Sequence, residues 1–152
     1  MVDIETGRFT VGVFQDVAWA TKGLDALKRA GFASESLTIM AKDGPEAAAL
    51  IERTFGARAD RIEAGPIGPL LARGPLVGVL QGASGDLTKL GMSGTMRRVG
   101  FQPHDARIFE VLTGRGGVLV AIRTEPRAAD ALAILHSYGG GNAAIGAWTG
   151  RV

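Results

Sequence analysis

Two histidines, two glycine-flanked serines and one triple glycine are the places where this sequence could do chemistry. His104 stands beside Asp105, and His136 lies two residues before Tyr138. A metal centre wants several convergent imidazole or carboxylate ligands, and no histidine pair occurs at ligand spacing. An acid–base couple from His104 and Asp105 fails on geometry, because adjacent residues on a helix do not face each other. Both read as first-turn residues. Ser84 in Gly82-Ala83-Ser84-Gly85 and Ser93 in Gly91-Met92-Ser93-Gly94 are not Gly-x-Ser-x-Gly elbows behind an apolar strand. Gly139-Gly140-Gly141 follows a helical pattern instead of opening one, so it reads as a turn and not as a phosphate cradle. Neither a Walker-type nor a dinucleotide glycine motif occurs. No catalytic, cofactor-binding or metal-ligating residue is assigned, no cofactor is expected, and the chain reads as non-enzymatic.

The totals narrow the class. A chain of 152 residues is most simply one domain, 1–152, long enough to bury a substantial core. It has no cysteine, which removes disulfides, thiolate metal sites and cysteine nucleophiles together. The formal net charge of +2 is too small to argue for nucleic acid. That charge is uneven: residues 1–64 hold 8 basic and 10 acidic side chains and residues 65–152 hold 9 and 5, which reads as a solvated surface before it reads as a site for an anionic partner. Asp3, Glu5 and Arg8 precede no apolar signal region, so a cytoplasmic chain is expected.

The elements that must carry any site follow from periodicity. Phe9, Val11 and Val13 alternate with Thr10 and Gly12, predicting a strand over 8–15. Asp16 is the natural N-cap of a helix over 17–30, whose stripe is Val17, Ala20, Leu24, Leu27 and Ala30. Gly31 stops it. Leu37, Ile39 and Ala41 alternate in a second strand. Pro45 opens a helix running to Phe55, with Asp43 available as cap and Gly56 as its end. Residues 59–64 read as a short edge strand. Three prolines between Pro66 and Pro75 exclude a long regular helix. Arg73 and the glycines argue against a membrane span, so residues 65–85 are expected to pack on the protein. Asp86 is read as cap of a helix over 87–99 that buries Leu87, Leu90, Met92, Gly94 and Met96. A helix over 104–113 turns Ala106, Ile108, Phe109 and Leu112 inward. Gly117 to Ile122 is a nearly all-apolar run, which fits a strand covered on both faces. A helix over 127–138, a turn at 139–142 and an uncharged closing strand over 143–148 complete the chain.

The run at 117–122 has a twin 108 positions earlier. Leu119 falls on Val11, Ile122 on Phe14, Ala128 on Ala20, Leu132 on Leu24, Leu135 on Leu27, Gly139 on Gly31 and Ile145 on Leu37. This is either a duplicated β-α-β unit or two units of like amphipathic pattern. The fold class is α+β: a ferredoxin-like β-α-β pseudo-repeat, with core units 8–41 and 116–148 and a long helical, Gly/Pro-rich insertion, 42–115, between them. The first strands of the two units should lie side by side at the sheet centre, Thr10–Phe14 antiparallel to Leu119–Arg123.

Partners follow from that frame. RNA-recognition sheets stack bases on exposed aromatic residues of the central strands. The later strand has none and only Phe9 and Phe14 sit on the earlier one, so no nucleic acid is expected. Trp19 and Trp148 are either anchors for another subunit or part of the monomer. Open sheets leave two edge strands to be paired or covered, and the uncharged strand 143–148 suits such a contact, so a homo-oligomer is expected. The other reading is a small-molecule sensor with residues 65–80 as a pocket lid.

Three pieces of the chain resemble the bacterial general stress protein domain. The first is Val11-Gly12-Val13-Phe14 and Asp16, with a helix closed by Ala30-Gly31-Phe32. The second is the stretch from Gly65-Pro66-Ile67-Gly68-Pro69 through Leu70-Leu71-Ala72-Arg73 to Gly74-Pro75-Leu76, similar to that family's glycine-proline signature. The third is Val99-Gly100-Phe101-Gln102-Pro103, then Asp105-Ala106, then Gly116-Gly117-Val118-Leu119-Val120. Many members carry a longer Gly/Ala-rich apolar hairpin before the signature. Here residues 58–64 run almost directly into Gly65, so membrane contact is not expected. The resemblance implies a stress-associated protein and supplies no catalytic residues.

Overall fold

Phe9-Thr10-Val11-Gly12-Val13-Phe14 forms strand β1, and all six residues are buried. Full burial along a strand requires cover on both of its faces, and the rest of the chain supplies it. The computed structural model describes residues 9–82, 85–123 and 128–138. The other strands are β2 (Leu37–Lys42), β3 (Asp60–Glu63), β4 (Pro69–Arg73) and β5 (Val118–Arg123). The helices are α1 (Val17–Arg29), α2 (Pro45–Phe55), α3 (Pro75–Gln81), α4 (Asp86–Arg98), α5 (Pro103–Gly114) and α6 (Ala128–Ser137). The class is α+β, one five-stranded sheet in the order β1-β5-β2-β4-β3 with every neighbouring pair antiparallel.

Alternating side chains send each strand into two cores. Val11, Val13, Met40, Leu70, Leu119 and Ala121 pack under α3, α4 and α5. Phe14, Ile39, Val118, Val120 and Ile122 pack under α1, α2 and α6, where Leu24, Leu27, Leu50, Ile51 and Leu135 meet them. Each large aliphatic side chain so buried contributes roughly 1.5–3 kcal/mol. The chain is thus three layers, helices on both faces of the sheet.

The expected pairing of the two apolar strands is present: Thr10 faces Ile122, Val11 faces Ala121 and Phe14 faces Val118. Their expected place at the sheet centre is not. Among the described strands the middle is β2, because residues 42–115 add β4 and β3 on its far side. The closing strand 143–148 with Trp148, the turn 139–142 and Ser84 lie outside the described residues.

Two expected caps are corrected. Asp43 does not cap α2; Gly44 holds that position, and the Asp43 carboxylate accepts a bond from Arg61 Nε at 2.9 Å instead. Asp86 is not the cap of α4 but its first residue, ion-paired with Arg98 at 3.0 Å. Asp16 does cap α1, accepting the Trp19 N–H at 2.9 Å. Leu90, expected inside, is 51% exposed. Gly91 breaks the helical path with φ 77° and ψ 174°, so residues before and after it do not share one stripe.

The stretch 65–80 folds as short regular elements. Gly65–Ile67 makes one 3-10 turn, Pro69–Arg73 is β4, and Pro75 opens α3. Gly74 sits at φ 127°, its α-carbon against the Leu37 carbonyl and Thr38, where no β-carbon fits. Just beyond it the Thr38 hydroxyl accepts the buried Leu76 N–H at 3.0 Å, so a β2 side chain caps α3.

Candidate functional site

Helices α1 and α2 lie on the same face of the sheet, with a concavity between them. At their C-terminal ends they are tied, Lys28 Nζ donating to the Thr54 carbonyl at 3.3 Å. Toward their N-terminal ends a cleft of about 540 Å³ opens between Val17, Ala18 and Thr21 of α1 and Glu46, Ala49, Leu50 and Arg53 of α2. A volume of that order suits a small organic molecule. A second cleft of about 320 Å³ shares Val17 and Glu46 with the first and reaches Lys42, Gly44 and Val118.

The local sequence explains this shape. The inward faces of both helices are spent on the sheet: Ala20, Leu24 and Leu27 on α1, Ala47, Leu50 and Ile51 on α2. The flanks that face each other carry small side chains, Ala18 and Ala49, which do not fill the gap. Glu46 and Arg53 are seven residues apart on one side of α2 and Asp16 lies at the start of α1, so the largely apolar walls carry two carboxylates and one guanidinium. None of residues 65–80 lines either of these two clefts.

The residues picked out for chemistry do not gather. His104 is exposed in the first turn of α5, with Asp105 beside it. His136 belongs to α6, and its side chain is outside the described residues. Ser93 follows the Gly91 break, and its backbone N–H, released from helical pairing, donates to Glu110 Oε2 of α5 at 3.1 Å. Among the described residues no three His, Asp or Glu side chains come together as metal ligands. Phe9 and Phe14 are fully buried, so neither can stack on a base. Trp19 is 38% exposed, with the Lys22 ammonium 4.7 Å from its ring centre. Among the described residues the one displaced titration is that of Arg61, whose pKa is raised by its hydrogen bond to Asp43 and by the Asp43 and Glu63 charges.

The cleft residues Thr21, Glu46, Ala49 and Arg53 escaped sequence reasoning. Their signal was faint: small side chains on the solvent flanks of two consecutive amphipathic helices. Comparison with protein-family models, with curated proteins and with solved structures finds no match. Among the described residues no helix is long and apolar enough to cross a membrane.

Proposed function

We propose that the chain is a cytoplasmic, stress-associated interaction protein that acts by binding, not catalysis, and associates with copies of itself. The observation that carries this is the sheet's last strand. Among the described strands β3 stands at the end of the order with Asp60, Arg61 and Glu63 exposed, and an edge left unpaired by them invites a further strand. The stress association follows from the resemblance in the glycine-proline stretch.

The reading includes a ferredoxin-like pseudo-repeat at the core. Gly12 faces Val120 in the β1–β5 ladder, and the two are also equivalents at the 108-residue offset. A local two-fold axis through that pair would exchange the units. In support, Val11 and Leu119 share one core while Phe14 and Ile122, and Leu27 and Leu135, share the other. Size-exclusion with light scattering tests the assembly; a strict monomer at tens of micromolar removes it.

The α1–α2 cleft favours a second reading, a small-molecule sensor. A ligand that binds only the folded chain must raise its melting temperature. A thermal-shift screen of nucleotides and metabolites should then give hits that Ala49→Trp abolishes by filling the cleft. No shift from any compound leaves the cleft without a role.

A further inference from the structure

Resting on the self-association reading, we propose that two copies of the chain join through β3, pairing antiparallel about Ile62 so that the two sheets become one. The outer edge of β3 has groups to offer. The Ala64 N–H donates to the Gly68 carbonyl at 2.9 Å, back toward β4. Backbone groups of successive strand residues point to opposite edges. Ile62 therefore turns its N–H and C=O toward β4, and Arg61 and Glu63 turn theirs outward. The side chains of Arg61 and Glu63 are 59% and 58% exposed, and among the described residues no strand pairs with that edge.

Symmetry and charge then select one register. A two-fold antiparallel pair keeps opposing side chains on the same face, so its axis must cross at a residue facing its own copy. Centring on Asp60, Arg61 or Glu63 sets like charges directly opposite, which is destabilising. Only Ile62 remains. About Ile62, each Arg61 faces Glu63 of the second copy, twice over, and the outward groups of these residues form the new ladder. Ile62 already packs against the core beneath α3, α4 and α5, so the paired Ile62 side chains extend an apolar layer.

Arg61 is prepared for this contact. Its Nε is held by Asp43 at 2.9 Å and its Nη1 lies 3.5 Å from Glu63 of its own chain, which leaves guanidinium donors unused. A short, charged edge turns most strands away; the same charges admit a second copy in one alignment. An unrelated extended peptide is the competing occupant, and it would have no need of the Ile62 centre.

The absence of cysteine makes the test clean. Ile62→Cys introduces a single thiol. In a non-hydrogen-bonded antiparallel pair the two α-carbons stand about 4.5 Å apart, within disulfide reach. Mild oxidation should give a covalent dimer of Ile62→Cys. Arg61→Cys and Glu63→Cys should each stay uncrosslinked alone and crosslink when mixed. In light scattering the wild type should be a dimer, Arg61→Glu should dissociate roughly tenfold more readily or worse, and Arg61→Glu with Glu63→Arg should recover, all three with native circular dichroism. An oligomer indifferent to Arg61→Glu, with no Ile62→Cys crosslink, overturns this pairing and leaves self-association standing. A monomeric wild type overturns both.

Discussion

The two helical layers cover the same sheet by different means. Under α1, α2 and α6 the cover is a set of apolar stripes, and between the described parts of α1 and α2 one side-chain bond, Lys28 to Thr54, spans the helices. Under α3, α4 and α5 there are apolar contacts too, but backbone and side chains are also threaded together. Thr38 caps α3, the Gln81 amide oxygen takes the Leu87 N–H at 2.8 Å, Arg98 donates to the Val79 and Leu80 carbonyls, and Glu110 takes the Ser93 N–H. Gly65 and Gly91 approach closely enough that a β-carbon on Gly65 would stand 3.1 Å from the Gly91 α-carbon. Helices held chiefly by stripes, and tied only at one end, can stand apart at the other and leave a cleft; helices laced through their backbones cannot. The difference places the cleft on the first layer and the cross-linking bonds on the second.

Substitutions can break or sharpen that contrast. Gly74→Ala should be the most damaging, costing about 3 kcal/mol or more, since it sets a β-carbon against β2 at a left-handed backbone position. Urea denaturation reads the loss. Thr38→Val strands the buried Leu76 N–H and should cost about 1–3 kcal/mol. Glu110→Ala should lose about 1 kcal/mol through the uncapped Ser93 N–H, and Glu110→Gln, which keeps an acceptor, less. On the other layer Asp16→Ala should likewise cost about 1 kcal/mol, as one lost helix cap. Ala49→Leu, facing the cleft, should stay within about 0.5 kcal/mol. Equal losses at Gly74 and Ala49 would erase the contrast.

The layer built from stripes was the legible one. Alternation at Phe9, Val11 and Val13 and the stripe through Leu24 and Leu27 placed β1 and α1 within a residue or two, and the apolar run at 117–122 correctly demanded cover on both faces. In the laced layer α4 and α5 were legible within a residue at each end, but the lacing was not, because its signals are single contacts across the sequence. Nothing near Gly91 says that Glu110 will take the Ser93 N–H, so Leu90 was expected inside. Leu70-Leu71-Ala72 is too short to show a period, and its role as β4 depends on pairing with β2 and β3. Pro75 was a fair signal for the start of α3, overshadowed by the breakers around it. The cleft was illegible because a cavity is what two helices leave unfilled.

Native-state hydrogen exchange at the Leu76 amide tests the lacing most directly, since amides that open only with the whole fold exchange with the global free energy. If residues 65–76 bind the second layer into the sheet, the Leu76 amide will match those within β2 and β5, while the Trp19 amide at the cleft end of α1 exchanges through a smaller local opening. A Leu76 amide that exchanges as readily as that of Trp19, with β2 and β5 still protected, would contradict it.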